Sequence, residues 1–215
     1  MPHIYRDLNQ QELDVQYNAQ ATVGDISPFV AAYKDQSAEA RNALEYLDSL
    51  SFGPSAEETL DLFPASKNAP LLVFIHGGYW RMLSKNESSF MAPNFVEKGI
   101  AVAAVNYTLR PDATLDEIVA ETHRSISWLY QNGADYGCDP ERIYIAGSSA
   151  GGHLAGMLAS GGWQEDFSVP SDVIKGGMLG LAIARTIVRS HGGDITVANR
   201  DGGGAIFSIC LPTEN

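Results

Sequence analysis

Short apolar runs alternate along the middle of the chain with longer segments whose apolar residues recur at helical spacing. The runs occupy residues 71–75, 100–105, 143–146 and 173–176, and only the last of them is interrupted by a charged residue, Lys175. An uninterrupted apolar run of this length is typical of a strand that is buried on both faces of a sheet. We therefore predict four neighbouring strands with helices between them.

The segments between the apolar runs carry helix signals. Ser84 and Glu87 have the spacing of a capping box and Gly99 is a typical stop, so a helix is predicted between them. In the next segment, apolar residues recur at helical spacing and predict a long amphipathic helix over 115–132. Residues 150–160 predict a third helix.

This alternation predicts the fold class. Strand–helix–strand repeats form right-handed crossovers, which make the strands parallel and cover both faces of the sheet with helices. The prediction is an α/β domain with a doubly wound, mostly parallel sheet. Reactive groups in such sheets lie at the carboxyl ends of the strands, so candidate chemistry is expected there.

The N-terminal part predicts a helical arm followed by two short strands. Ser27 as N-cap and Pro28 at the first helical position predict a helix over 29–44. Residues 51–53 and 59–63 are predicted to pair as strands around the intervening Gly-Pro turn.

Composition narrows the functional classes. Hydrophobic residues make up 45% and charged residues 19% of the 215 residues, as in globular rather than disordered proteins. Lys and Arg total 14 against 26 Asp and Glu, which gives a formal net charge of -12. Such a charge repels polyanions, so nucleic acid is not an expected partner.

Cysteine usage and the absence of long apolar runs suggest a compartment. Cys138 and Cys210 lack metal-ligand spacing and do not make a disulfide framework, so no metal or cofactor is expected. The start of the chain lacks the apolar core of a signal peptide. No apolar run approaches the ~20 residues needed to cross a bilayer. The expectation is a cytoplasmic protein without a membrane partner.

A serine motif follows the third apolar run, and its sequence is Gly147-Ser148-Ser149-Ala150-Gly151. It fits G-x-S-x-G between a strand and a helix, which is the context of a nucleophile elbow. Small residues are needed two positions either side of Ser149, because the turn is sharp and a larger side chain would clash. Ser149 is the predicted nucleophile; the alternative is an ordinary glycine–serine loop.

The first apolar run ends in a glycine-rich stretch, His76-Gly77-Gly78-Tyr79-Trp80. Its backbone amides can turn toward the spot above the sheet that the serine occupies. Gly78 and Tyr79 are therefore predicted to form an oxyanion hole together with the amide of Ala150. His76 is interpreted as a hydrogen-bonded structural residue rather than the base. The alternative is a strand-to-loop turn that merely contains glycines.

These motifs resemble a known family. The stretch from His76 to Trp80, the segment Asn106-Tyr107-Thr108-Leu109-Arg110-Pro111 and the serine motif extended by Gly152-His153-Leu154-Ala155 are similar to the α/β-hydrolase family of kynurenine formamidases (arylformamidases) and related small esterases. The resemblance covers roughly residues 1–177. It implies a small-molecule partner, an ester or formamide, that is hydrolysed by a Ser-Asp-His triad. The family's acid and histidine find no match here, so a truncated α/β-hydrolase-like domain is predicted.

The C-terminal part predicts a helix followed by a β-hairpin. Leu179, Ile183 and Ile187 make a helical apolar stripe, and residues 195–198 and 205–211 are strand-like runs around a glycine-rich turn. A sheet edge left uncovered by missing strands favours association, so a homo-oligomer is expected unless the hairpin docks there.

By resemblance, residues 178–212 look like the C-terminal end of a sensor histidine kinase ATP-binding domain. Met178 stands where that family has a glycine, and the segments that hold adenine and Mg²⁺ are not found. No ATP binding is therefore expected. We predict two units, 1–177 and 178–215, with a junction between unrelated sequences near 175–178.

Completion of the catalytic triad depends on this C-terminal part. His191 is the candidate base, with Asp194 and Asp201 as candidate acids. His191 precedes both acids, whereas the family order is serine, acid, histidine, and its place at a predicted helix end favours a structural role. His123 and His153 are expected to be packing or surface residues. Three hypotheses stay open: an active hydrolase, an inactive scaffold and a nucleotide-binding fragment.

Overall fold

The computed structural model describes residues 4–17, 25–179, 194–199 and 205–210. Six strands form the central sheet: β1 (Leu47–Ser51), β2 (Thr59–Phe63), β3 (Ala69–Ile75), β4 (Ala101–Val105), β5 (Cys138–Gly147) and β6 (Ile174–Leu179). Their spatial order is β1-β2-β4-β3-β5-β6. The described helices are α1 (Gln10–Tyr17), α2 (Ser27–Ala43), α3 (Ala92–Val96), α4 (Leu115–Asn132) and α5 (Ala150–Ala159), with 3-10 turns at Lys85–Glu87 and Gly133–Tyr136.

The four predicted core strands are neighbours and run parallel. Strand β3 pairs in parallel with β4 on one side and with β5 on the other, and β5 pairs in parallel with β6. Strands β1 and β2 extend the sheet in antiparallel fashion beyond β4. The predicted fold class, a mostly parallel doubly wound sheet, is confirmed.

Alternate residues of β3 show why the sheet is covered on both faces. Leu71, Val73 and Ile75 belong to an apolar cluster that includes Ile118 of α4 and Leu154 of α5. Leu72, the residue between two of them, belongs to a second cluster with Ala92 of α3. Successive side chains of a strand point to opposite faces, so an uninterrupted apolar run meets helices on both sides.

Two N-terminal boundaries differ from prediction. The first strand occupies Leu47–Ser51 rather than 51–53, because its leucines pair with β2 and pack against the core. Helix α2 begins with Ser27, whereas Ile26 is its N-cap. Ile26 makes no side-chain capping bond, and the Ser27 amide donates to the Asp25 carboxylate at 2.9 Å.

The capping box of Ser84 and Glu87 forms as predicted, but it opens only the short Lys85–Glu87 turn. Helix formation starts again at α3, where Pro93 occupies the first turn, a position that needs no intrahelical amide. Gly99, with φ of +75°, follows this helix. One predicted helix is therefore a turn and a separate short helix.

Strand β6 continues through Met178 and Leu179, so the predicted helix does not start at these residues. They pair with Ala146 and Gly147 of β5, whose backbone extends the ladder past the predicted junction. The boundary at residue 177 thus falls inside a strand, and the rest of the predicted helix lies outside the described residues.

The C-terminal hairpin forms as predicted. Strands β7 (Asp194–Asn199) and β8 (Ala205–Cys210) pair in antiparallel fashion and make a two-stranded sheet of their own.

Candidate active site

The residue at the turn between β5 and α5 is Ser149. Its backbone has φ of 54° and ψ of −116°. A positive φ is uncommon for a residue with a side chain, and strain of this kind is typical of functional sites. Ser149 is half-buried, whereas the preceding Ser148 is exposed. This conformation is the one expected of a residue held at a sharp strand-to-helix turn.

The glycines on either side of the serine are required by space. A β-carbon on Gly147 would collide with the carbonyl of Gly151 and lie 2.7 Å from the Gly152 nitrogen. A β-carbon on Gly151 would collide with the carbonyl of Ile75 and lie 2.5 Å from that of His76. The requirement for small residues therefore has two causes: the tight turn between β5 and α5 encloses Gly147, and the close approach of α5 to the end of β3 encloses Gly151.

Helix α5 places its N-terminus at the serine. The Ser149 carbonyl accepts hydrogen bonds from the amides of Gly152 and His153 at 2.9 and 3.2 Å. Ala150 is buried and is the first residue of the helix. Because the first amides of a helix have no acceptor within it, this end is suited to stabilise negative charge.

The glycine-rich loop after β3 lies beside the elbow. Ile75 pairs with Gly147 across the sheet, and the Ile75 carbonyl accepts from the Ser148 amide at 3.2 Å. A β-carbon on Gly77 would lie 3.1 Å from Cβ of Ser149. The predicted oxyanion loop and the predicted nucleophile therefore share one edge of the sheet.

The backbone turns sharply within this loop. Gly78 has φ of +102°, and its carbonyl accepts from the amides of Arg81 and Met82 at 3.0 and 3.1 Å. Tyr79 and Trp80 both have φ of 57°. Three successive positive φ angles and these two hydrogen bonds make a tight turn shortly after the end of β3.

Two aromatic side chains of the loop lie near the elbow. Tyr79 is exposed, with 63% of its surface accessible. Trp80 packs partly against the core and meets the His153 ring edge-on, with centroids 5.2 Å apart. The loop therefore carries one exposed aromatic ring, Tyr79, and one packed ring, Trp80, which contacts helix α5 through His153.

His76 is buried within the same loop. Its Nδ1 lies 2.8 Å from the Gly77 carbonyl oxygen, which can only accept, so Nδ1 carries the proton. The ring stacks on Tyr107 with centroids 4.1 Å apart and an interplanar angle of 5°. Burial lowers the pKa of His76 to about 4, so the ring is neutral at neutral pH. This geometry agrees with a structural role.

The other described histidines pack. His123 of α4 stacks on Trp163 at 4.3 Å, and burial lowers its pKa to about 4. Burial also lowers the pKa of His153. In the part of the chain that the structure describes, neither ring hydrogen-bonds to Ser149.

The residues proposed to complete the triad lie at the end of the chain. His191 and Asp201 are outside the described residues, and Asp194 is described only as the first residue of β7. Within the described ranges, no group of three or more His, Cys, Asp or Glu residues is arranged to hold a metal ion. Across the same residues, no helix has the length and apolar character needed to cross a bilayer.

Tyr107 is a site residue to which sequence reasoning assigned no role. Its hydroxyl lies 3.1 Å from the carbonyl oxygen of His76 and 3.4 Å from that of Gly77. Its position could have indicated a role, since Tyr107 follows β4 and so lies at the same carboxyl edge of the sheet as Ser149. Its partners could not be known before the strand order.

Similarity to known proteins covers most of this fold. A protein-family model described as BD-FAE matches residues 60–175. Kynurenine formamidase of Salmo salar is 34% identical over 184 residues, which are 81% of this chain and 60% of that protein. The chain therefore spans about three fifths of the length of this relative.

Solved structures show the same likeness. A putative thioesterase from Silicibacter sp. TM1040 aligns with a TM-score of 0.63 at 30% identity, covering 75% of this chain and 59% of that one. Esterase B of Lactobacillus rhamnosis aligns with a TM-score of 0.56 at 28% identity, covering 70% and 52%.

A second family model matches a shorter part of the chain. It is described as the histidine kinase-, DNA gyrase B- and HSP90-like ATPase, and it matches residues 159–215. The match overlaps the first one over 159–175, where the described chain runs from the end of α5 into β6 of the central sheet. This partial match does not establish an ATPase family for the chain.

Proposed function

Because the chain belongs to the BD-FAE family and has an esterase-like α/β-hydrolase fold, we propose that it is a serine hydrolase of small carboxyl esters or N-formyl amides. Ser149 is the nucleophile, and the amides of Gly78, Tyr79 and Ala150 form the oxyanion hole. Similarity to a kynurenine formamidase supports a formamide substrate, and similarity to Esterase B supports an ester.

The backbone of Ser149 is the single observation that carries this proposal. Its φ of 54° is strained, and the glycines at 147 and 151 that permit it are enclosed by backbone atoms. A connection without function would not be expected to combine a strained serine with two enclosed glycines, because an unstrained turn would join β5 and α5 at a lower conformational free energy.

The chemistry follows from this arrangement. The Ser149 hydroxyl oxygen bonds to the substrate carbonyl carbon, and its proton passes to a base. The carbonyl oxygen becomes an oxyanion, which the loop and helix amides stabilise. Collapse breaks the bond to the alcohol or amine, which leaves with a proton, and water releases the acyl group by the same steps.

The base is the open part of the mechanism, and His191 is our candidate for it. A second candidate function is a catalytically inactive scaffold, since His191 precedes both candidate acids, whereas the related family has serine, acid and histidine in that order. A serine hydroxyl without a base is a weak nucleophile at neutral pH.

A fluorophosphonate probe separates these candidates. We expect covalent labelling of the folded protein, with the adduct located on Ser149 by mass spectrometry and absent from the Ser149→Ala variant. The matched control is Ser148→Ala, which changes the exposed neighbour and should retain the adduct. An adduct elsewhere, or none while the chain is folded, would refute Ser149 as the nucleophile.

A further inference from the structure

We propose that Tyr107 is a positioning residue whose hydroxyl holds the oxyanion loop in its working conformation. The inference rests on the function proposed above and concerns the same site. Tyr107 follows β4, is 1% exposed as a residue, and reaches with its hydroxyl to the loop that follows β3. It is a buried polar group that the chemistry above does not otherwise use.

The hydroxyl of Tyr107 acts on two successive carbonyl groups. It donates to the His76 carbonyl at 3.1 Å, with the Gly77 carbonyl at 3.4 Å as the more distant acceptor. Burial raises the pKa of Tyr107 above its usual range, so the hydroxyl keeps its proton and remains a donor.

The ring of Tyr107 acts on the same loop through His76. The two rings stack with an interplanar angle of 5°, which fixes the orientation of the imidazole. His76 then donates from Nδ1 to the Gly77 carbonyl at 2.8 Å. Tyr107 therefore restrains the Gly77 carbonyl both directly and through the ring that it supports.

Peptide planarity transmits this restraint to the amides. In a planar trans peptide, the carbonyl of one residue and the N–H of the next point in opposite directions. Holding the Gly77 carbonyl on the Tyr107 side directs the Gly78 N–H to the opposite side. Holding the His76 carbonyl does the same for the Gly77 N–H.

The glycines explain why an outside restraint is needed. Gly77 must lack a side chain, because a β-carbon would lie 2.8 Å from the Ser148 carbonyl oxygen and 3.1 Å from Cβ of Ser149. Adjacent glycines are conformationally free, whereas an oxyanion hole works only if its donors are fixed before reaction. The Tyr107 hydroxyl supplies the rigidity that the glycines cannot.

The test is Tyr107→Phe, which keeps the stacked ring and removes only the hydroxyl. With the fluorophosphonate probe, we expect the maximal labelling rate at Ser149 to fall about tenfold while the probe concentration at half-maximal rate is unchanged. The loss should stay below the ~10²–10³ that removal of an oxyanion donor itself costs. A purely structural role would not separate these two constants.

The matched control is Tyr130→Phe, which removes the hydroxyl that donates to Glu141 at 3.2 Å, far along the chain from the loop. This variant should label at the parent rate. Failure of the parent chain to label at Ser149 refutes the proposed function itself. Labelling of parent and Tyr107→Phe at equal rates refutes the positioning role alone.

A second variant covers the case in which Tyr107→Phe does not fold. His76→Phe retains a ring for stacking and removes the Nδ1 donor to the Gly77 carbonyl. We expect the same slower maximal rate, and an unchanged rate in this folded variant would overturn the proposal.

Discussion

Gly151 lies against the end of strand β3, where a β-carbon would collide with the carbonyl oxygen of Ile75. Because Gly151 has no side chain, the start of α5 packs directly against the strand that leads into the glycine-rich loop. It therefore brings Ser149 and the loop of residues 76–80 to one place. Gly151 therefore contributes both to the packing of α5 and to the geometry of the candidate site.

Gly151→Ala should be strongly destabilising, because the added methyl group meets backbone atoms that cannot rotate away. We expect a loss of about 3 kcal/mol in the free energy of unfolding, as for an overpacked core, and much slower labelling of Ser149. Urea unfolding followed by circular dichroism measures the first effect.

The control for this substitution lies in the same helix. Gly156 has open space around the position of a β-carbon, so Gly156→Ala should stabilise the chain by about 0.5–1 kcal/mol through helix propensity. Similar stability changes in both variants would contradict the assigned contact.

The buried ion pair between Asp61 and Lys85 connects β2 to the turn that follows the loop. Asp61 is 1% exposed at its side chain, and its Oδ1 lies 2.5 Å from the Lys85 ammonium. Among the described residues, Asp61→Ala leaves that ammonium in a buried site with the exposed Asp48 as its remaining ion-pair partner, and we expect a loss of about 3 kcal/mol in the free energy of unfolding. Thermal and urea unfolding measure it.

A surface pair provides the comparison. Lys175 and Asp172 are 2.8 Å apart, and the Asp172 side chain is mostly exposed. Asp172→Ala should cost less than about 0.5 kcal/mol. A cost for Asp61→Ala as small as this would show that Lys85 finds another partner or reaches water.

His123 predicts a dependence of stability on pH. Its folded-state pKa is about 4, below the ordinary value of 6.5, so the unfolded chain binds more protons between these values. Stability contributed by the neutral ring is therefore complete above pH 6.5 and is lost as the pH falls toward 4.

His123→Phe keeps an aromatic ring against Trp163 and removes the titration. We expect the slope of unfolding free energy against pH to decrease by up to about 1.4 kcal/mol per pH unit in this window. The free energy of unfolding of the parent and of His123→Phe is measured from pH 7 to 5 and at pH 8. At pH 8 the ring at position 123 is neutral in both proteins, so the difference there reports packing and the difference in slope reports titration. An unchanged slope would contradict the role of His123. Part of the slope that remains in the variant is expected from His76, whose pKa is also lowered to about 4.

Turnover by this chain is expected to be slow, because the sequence matches neither the acid nor the histidine of the related family's triad, and a serine hydroxyl needs a base to accept its proton. Oxyanion and binding contributions alone give ~10³–10⁴ over the uncatalysed reaction when triad members are missing. The measurement compares hydrolysis of an activated aryl ester by the parent, Ser149→Ala and His191→Ala. Fast turnover abolished by both substitutions would show that His191 is the base. A slow rate that neither substitution changes would favour the inactive scaffold.

The sequence predicted the features that depend on residues close together in the chain: the apolar strands, the turn at Ser149 and the C-terminal hairpin. Apolar runs identified the four parallel strands, since a strand covered on both faces is apolar at most of its positions. The G-x-S-x-G spacing identified the turn at Ser149 because part of the steric requirement is local: a β-carbon on Gly147 would meet the backbone of Gly151. The hairpin of β7 and β8 was equally local.

Features that depend on distant partners required the tertiary structure. The capping box at Ser84 predicted a helix start but not that Lys85 would turn inward to Asp61, 24 residues earlier in the chain. Strand β6 extends past the predicted junction because its last residues pair with the backbone of β5.

The contrast is sharpest at the candidate site. The sequence by itself determined that a serine lies at a tight strand-to-helix turn and that a glycine-rich loop ends another strand. Only the tertiary structure decided that Tyr107, 31 residues after His76, donates to that loop. The physical reason is that a hydrogen bond between two strand ends depends on the order of the strands in the sheet, which no local pattern encodes.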